Sequence, residues 1–198
     1  MVKRLLDLAL AGIGLVLLAP VLLAIATWVR LDSPGPAFFR QERVGRFGVP
    51  FRIHKFRTMA QQPVGEGREI TVGADPRITR AGQWLRRTKL DELPQLIDVL
   101  IGRMSIVGPR PEVPRYVAKY PPELRRKVLS VRPGITDFAS LHYRRESELL
   151  ARAADPEREY VEVVMPEKLR YAAQYVDQAC LATDLRVIAR TLATLVRG

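Results

Sequence analysis

Hydrophobic and polar residues are distributed very unevenly along the chain. Leu8 to Val29 is an uninterrupted run of 22 residues without a charge. As a helix rising ~1.5 Å per residue, it is long enough to cross a bilayer core. Downstream, short apolar–polar alternations in "AFFRQERVG" and "PFRIHKFRTM" predict two small strands around the turn-like "GRFGVP". Residues 79–87 predict a short basic helix. Leu93, Leu96, Ile97 and Leu100 fall at i, i+3, i+4 and i+7, one apolar face of a second helix. Thr88 and Asp91 have capping-box spacing and Pro94 suits a first turn, so that helix is expected to begin near Asp91. Further helices are predicted over 122–130, 141–150, 166–179 and 184–196. "VRPGITD" reads as a turn, and Gln61 to Thr71, rich in Gly and Gln, reads as a mobile loop. In 184–196, Leu185, Ile188, Leu192 and Leu195 share one face and Arg186 and Arg190 lie off it.

The apolar run has three readings. A secretory signal peptide fits the basic "MVKR" and the small residues near Ala24, but its apolar region is long and interrupted by Pro20. A single crossing helix meets a conflict, because both basic flanks favour the same side of the membrane. A re-entrant hairpin bent at Ala19-Pro20 resolves that conflict, since proline removes a helix donor and crowds the preceding turn. The hairpin is favoured and the crossing helix stays open.

Composition narrows the partners. The formal charge of +11 and the pI near 10.4 point to an anionic partner: nucleic acid, anionic lipid or a phosphorylated substrate. One cysteine, Cys180, excludes a disulfide framework and a cysteine-based zinc site. His54 and His142 lack metal-ligand spacing and read as structural or surface residues. No base-reading module is recognisable, which argues against nucleic acid. The alternative to an enzyme is a basic membrane-surface or nucleic-acid-binding protein without catalysis.

The candidate chemistry lies in "TKLDELPQLIDVL", where Asp91 and Glu92 interrupt a basic stretch. The N–H groups at a helix start seat phosphate and stabilise an ionised carboxylate. An ionised Asp91 is a nucleophile for phosphorus, and Mg²⁺ held by Asp91 and Glu92 would offset its repulsion from phosphate. Arg110, stiffened by Pro109 and Pro111, suits bidentate phosphate binding. Lys55, Arg57, Arg87 and Lys89 are further phosphate-binding candidates.

"FFRQERVG", "KFRTM", "DPRITRAGQWLRRTKLDELPQL", "MSIVGPRP", "RPGIT" and "PEKLR" follow one another in one order behind the apolar run. Together they closely resemble the bacterial sugar transferases, the monotopic phosphoglycosyl transferases. The resemblance implies transfer of a sugar 1-phosphate from a UDP-sugar to a polyprenol phosphate such as undecaprenyl phosphate. UMP would be released through a two-step, Mg²⁺-dependent route with a phosphosugar on Asp91. It implies a supporting role for Glu92, nucleotide-phosphate binding by Pro109, Arg110 and Pro111, and a basic role for Lys55. It places the chain on the cytoplasmic face of a bacterial inner membrane, beside anionic lipid. Two departures stand out: the helix break lacks the family's Ser, and Asp137-Phe138-Ala139-Ser140 replaces a common Gly-Trp-Ala-Gln, so the sugar is not inferred. The expected fold is mainly α with a small β hairpin or sheet (α+β). A membrane element over 1–30 packs on a single catalytic domain over 31–198 with amphipathic interfacial helices. This arrangement corresponds to the family's minimal form. The sequence sets no oligomeric state; a homodimer is one option.

Overall fold

A computed structural model describes residues 2–60 and 75–196. The expected loop at 61–71 lies outside the described residues. The chain opens with α1 (Val2–Asp32), followed by β1 (Phe38–Phe39), β2 (Glu42–Val44), β3 (Pro50–Arg52) and β4 (Lys55–Phe56). Next come α2 (Arg80–Thr88), a 3-10 turn at Leu90–Glu92, α3 (Gln95–Leu100) and β5 (Ser105–Val107). Then follow α4 (Pro114–Val117), α5 (Pro122–Val128), β6 (Gly134–Thr136), α6 (Phe138–His142) and α7 (Glu146–Ala151). The described chain closes with α8 (Pro156–Glu159), a π-helical turn at Tyr160–Val164, α9 (Met165–Gln178) and α10 (Leu181–Val196). The fold is mostly helical with small two-stranded sheets, as expected.

The two predicted strand segments pair antiparallel. β2 meets β3 with Arg43 opposite Phe51, and β1 meets β4 with Phe39 opposite Lys55. "VRPGITD" departs from expectation: Gly134–Thr136 forms a parallel strand beside β5, with Ser105 opposite Gly134. This pairing requires two glycines. A Cβ on Gly134 would stand 2.1 Å from the Gly108 nitrogen, and one on Gly108 would stand 2.5 Å from the Arg132 carbonyl. The backbones approach closely because neither residue has a side chain.

The apolar run is one helix with Pro20 inside it, and no loop divides it into two arms. The missing proline hydrogen bond is a local cost, and both halves of the helix are fastened to the same domain. Near the N-terminus, Lys3 Nζ lies 2.7 Å from Asp184, and Arg4 donates to the Val99 carbonyl at 2.7 Å. The buried Asp7 accepts from the Ser105 hydroxyl at 2.8 Å and the Ile106 N–H at 3.0 Å. Ala11 then packs with Phe51, Ile53, Val99 and Met104. Beyond Pro20, Ile25 and Val29 pack with Phe56, Ala81 and Leu85. Asp32 accepts from the Ala81 N–H at 3.0 Å. The opposite face remains apolar and exposed, including Leu5, Ile13, Val16, Leu17 and Leu23.

Two other helices leave part of their predicted apolar faces outside. In α3, Leu100 is exposed together with Ile101, whereas Gln95, Asp98 and Val99 are buried. In α10, Leu185 and Leu192 are exposed, whereas Thr183, Asp184 and Val187 are buried. Periodicity identified these faces correctly, and each is split: Leu96 and Ile188 pack against core residues, whereas Leu100, Leu185 and Leu192 face outward.

The β5–β6 contact gives a direct stability test. Gly134→Ala places a methyl group against fixed backbone, so it is expected to destabilise by about 1–3 kcal/mol. Thermal unfolding measures this; an unchanged midpoint would contradict the close approach.

Candidate active site

The acidic pair lies between two basic elements. Lys89 adopts a left-handed conformation (φ 60°) and ends α2, its N–H donating to the Leu85 carbonyl. Thr88 donates back to the carbonyls of Trp84 and Leu85, so it closes α2 and does not cap the next helix. Asp91 and Glu92 occupy the 3-10 turn, and α3 starts at Gln95. The expected start near Asp91 is therefore three to four residues early. Among the described residues no backbone N–H bonds to the Asp91 carboxylate. Its charge partner is a side chain.

That partner is Lys55, at the end of the β1–β4 pair. Its ammonium lies 3.2 Å from Asp91 Oδ2 and 3.0 Å from Glu92 Oε1, bridging the two carboxylates. Arg110 reaches Glu92 from the other side. Its Nη1 donates to Oε2 at 2.9 Å and its Nη2 donates to Oε1, forming a bidentate pair. Asp91 is almost fully buried, and its Oδ1 has no hydrogen-bond partner among the described residues. The four groups form a charge-balanced cluster. Burial pushes the Glu92 carboxyl up, but the Arg110 and Lys55 charges outweigh it and hold the group well below the usual carboxylate range. Glu92 in turn raises Arg110 above its ordinary value, against desolvation.

The Pro109-Arg110-Pro111 loop is fixed along its length. The Pro109 carbonyl accepts from the Gly134 N–H at 3.0 Å, and the Arg110 N–H donates to Asp137 Oδ2 at 3.2 Å. The Pro111 carbonyl accepts from Arg43 at 3.3 Å. Arg43 also pairs with Glu112 at 3.0 Å, and Glu112 accepts from the Tyr160 hydroxyl. Asp137 also caps α6, accepting from the Ser140 N–H at 2.7 Å.

Six of the nine expected site residues thus come together: Lys55, Asp91, Glu92, Pro109, Arg110 and Pro111. Arg57 does not join them. It is buried against the end of α1, donating to Val29 at 3.1 Å, to Ser33 at 2.7 Å and to Pro34. Its guanidinium is turned toward carbonyls at and just beyond the end of α1, away from the dyad. Arg87 is exposed on α2 and bonds to none of the dyad. Lys89 makes no ion pair with the dyad but stands within its field: burial holds its ammonium below the ordinary lysine value against the charges of Glu92 and Asp91, and its left-handed backbone makes the step before the turn.

Two contributors were not evident from the sequence. Asp137 pins Arg110, and a local signal existed: an Asp three residues before Ser140 at a helix start. His54 clasps the fully buried Asp98, its N–H at 2.8 Å from Oδ2 and its Nδ1 at 2.8 Å from Oδ1. This contact links the residue before Lys55 to the helix after the dyad. His54 is structural, as expected.

A depressed Glu92 pKa contributes stability that is fully present above its ordinary value of 4.5 and is lost as pH falls through the lower folded value. Glu92→Gln is therefore expected to lower the unfolding midpoint at pH near 7, with the gap closing in strong acid. An equal gap in thermal melts at both pH values would contradict the pairing.

Comparison with known proteins identifies the family. The family model described as bacterial sugar transferase matches residues 1–198. The chain is 37% identical over 198 residues to the UDP-glucose:undecaprenyl-phosphate glucose-1-phosphate transferase of Escherichia coli K12, covering 97% of this chain and 39% of the relative. It is 34% identical to the UDP-N-acetylgalactosamine-undecaprenyl-phosphate N-acetylgalactosaminephosphotransferase of Aeromonas hydrophila, covering 100% of this chain and 44% of the relative. It is 36% identical to the exopolysaccharide production protein PSS of Rhizobium leguminosarum bv. phaseoli, covering 99% and 96%. The chain thus spans less than half the length of the first two relatives and nearly all of the third. A whole-chain match, joined to an Asp-Glu pair gripped by Lys55 and Arg110, places this chain in the bacterial sugar transferase family.

Proposed function

We propose that the protein transfers a sugar 1-phosphate from a UDP-sugar to a polyprenol phosphate, releasing UMP through a covalent phosphosugar on Asp91. The observation that carries this reading is the Lys55 bridge. A nucleophilic carboxylate needs a cation beside it to approach a diphosphate, and Asp91 Oδ2 has one at 3.2 Å. Arg110 holds a fork-shaped donor set whose present partner is a carboxylate, the shape a phosphate shares. A diphosphate entering the site would compete with Glu92 for Arg110 and Lys55. The relatives' names, which specify UDP-sugars and undecaprenyl phosphate, supply the substrate classes.

The donor set suits Mg²⁺, which is commonly held by one or two carboxylates plus substrate phosphates. Asp91 and Glu92 would hold it once phosphate takes over their cations. Bound there, the ion would neutralise phosphate charge. Asp91 supplies the nucleophilic oxygen, Lys55 lowers the repulsion it meets, and Arg110 orients the phosphates. Glu92 holds both cations in register before substrate arrives.

The reading extends to the membrane. The apolar helix dips into the cytoplasmic leaflet of a bacterial inner membrane and returns, bending at Pro20, with the catalytic domain in the cytoplasm. Support comes from the docking of α1: clamps at Lys3, Arg4 and Asp7 and at Asp32 attach both of its ends to one domain. A helix of 31 residues is roughly 46 Å long. Crossing the bilayer would require one of those ends to leave its partners. The exposed leucines of α3 and α10 suit the same leaflet, and basic surface residues beside them would favour anionic lipid.

The test is UMP release from a panel of UDP-sugars with polyprenol phosphate and Mg²⁺. The wild-type chain is expected to release UMP with at least one sugar. Asp91→Asn is expected to release none and to trap no phosphosugar, and Arg110→Ala to raise KM about tenfold or more, the worth of a charge-assisted pair. Normal turnover by Asp91→Asn removes the mechanism; unchanged KM in Arg110→Ala removes Arg110 from substrate binding.

A further inference from the structure

Gln95 is fully buried, and neither its Oε1 nor its Nε2 has a hydrogen-bond partner among the described residues. A primary amide offers two donors and an acceptor oxygen. Native interiors rarely leave such a group wholly unused. The residue belongs to "LDELPQL", and the roles assigned so far leave it idle. It stands four residues after Asp91, about one helical turn along, and the intervening Leu93 and Pro94 both have right-handed helical backbone. Asp91 Oδ1 is the other buried oxygen of this stretch without a partner. The next polar group on the stripe, Asp98, is satisfied on both oxygens by His54. The unused atoms are therefore confined to the end of the stripe that carries the nucleophile.

The two Asp91 oxygens have different surroundings. Oδ2 faces the Lys55 ammonium, on the side where a phosphate meets the cations. Oδ1 is shielded from solvent. We propose that Gln95 is a positioning residue for the covalent intermediate. Its amide N–H donates to Asp91 Oδ1 once Oδ2 is bonded to phosphorus. This proposal rests on the reading of Asp91 as nucleophile. In the first step Oδ2 forms a bond to the phosphorus that carries the sugar. The bond from that phosphorus to the bridging oxygen breaks, and its electron pair leaves with UMP. The carboxyl group loses its charge and the remaining negative charge lies on the phosphoryl oxygens, so Lys55 turns to those oxygens and no longer fixes the carboxyl torsion. Oδ1 becomes the carbonyl oxygen of that acyl phosphate, a good acceptor for a buried amide. Gln95 then holds the acyl phosphate in one rotamer, with phosphorus facing the incoming acceptor. In the second step a phosphate oxygen of polyprenol phosphate bonds to the same phosphorus. The Oδ2–phosphorus bond breaks, its electron pair returns to Asp91, and Gln95 is released. The resting amide is unbonded because its partner is a state of the reaction.

The test uses Gln95→Met in the full chain, which keeps the volume and removes the amide. Loss of a group that has no resting partner is expected to leave the thermal midpoint equal to wild type or higher. Turnover is expected to fall about tenfold, equivalent to roughly 1.4 kcal/mol of transition-state stabilisation, with KM for the UDP-sugar unchanged. Wild-type turnover in Gln95→Met overturns the proposal. A lowered midpoint or failure to fold also overturns it, because the amide would then serve the resting fold. Wild type and Asp91→Asn run in the same assay separate the two readings. If wild type traps no phosphosugar, the nucleophile assignment fails. If wild type traps it and Gln95→Met matches wild type, only the Gln95 assignment fails.

Discussion

The Lys55 ammonium, shared by the carboxylates of Asp91 and Glu92, is the contact on which the site depends. Two adjacent buried carboxylates repel each other and lose hydration, so they require a cation between them. Lys55 meets that need from one side, and Arg110 completes it from the other. The result is a site that is charged and largely dehydrated yet balanced. Much of the fold serves to bring these three segments together. The β1–β4 pair presents Lys55, the left-handed Lys89 turns the chain into the dyad, and the β5–β6 contact with Asp137 fixes the Arg110 loop.

The same economy governs several basic side chains. Lys3, Arg4, Arg43, Lys55, Arg57 and Arg110 all bond to groups inside the protein. Lys3 and Arg4, which look like a topological signal beside an apolar run, are clamps that join α1 to α3, β5 and α10. The apolar surface shows the reverse pattern. Leucines of α1, α3 and α10 remain outside while carboxylates and amides go in. That inversion suits a protein whose outer solvent is partly lipid.

The sequence and the structure agree where a pattern is local. The strand pairs, the basic α2 and the amphipathic α10 follow from alternation and period. The dyad and Arg110 stand out because their motifs place charge beside rigid proline. Other features depend on contacts distant along the chain. Lys55 and Arg57 are two residues apart in one basic motif, but Arg57 ends at carbonyls of Val29 and Ser33, a tertiary fact. Thr88 fits a cap for either neighbouring helix, and only the folded chain shows that it closes α2. The parallel strand at Gly134 needs a partner near position 105, which no local signal names. Helical period marks a face without saying whether core, water or lipid meets it: Leu100, Leu185 and Leu192 face outward, whereas Leu96 and Ile188 of the same faces pack inside.

In the proposed reaction one oxygen of Asp91, beside Lys55, takes the phosphosugar. The most direct measurement is peptide mass spectrometry of wild-type protein quenched after mixing with a UDP-sugar and Mg²⁺ in the absence of lipid acceptor. A sugar-phosphate adduct is expected on the peptide carrying Asp91, discharged when polyprenol phosphate is added. An adduct on another residue, or UMP formation only in the presence of acceptor and with no adduct at any time, would contradict that reaction.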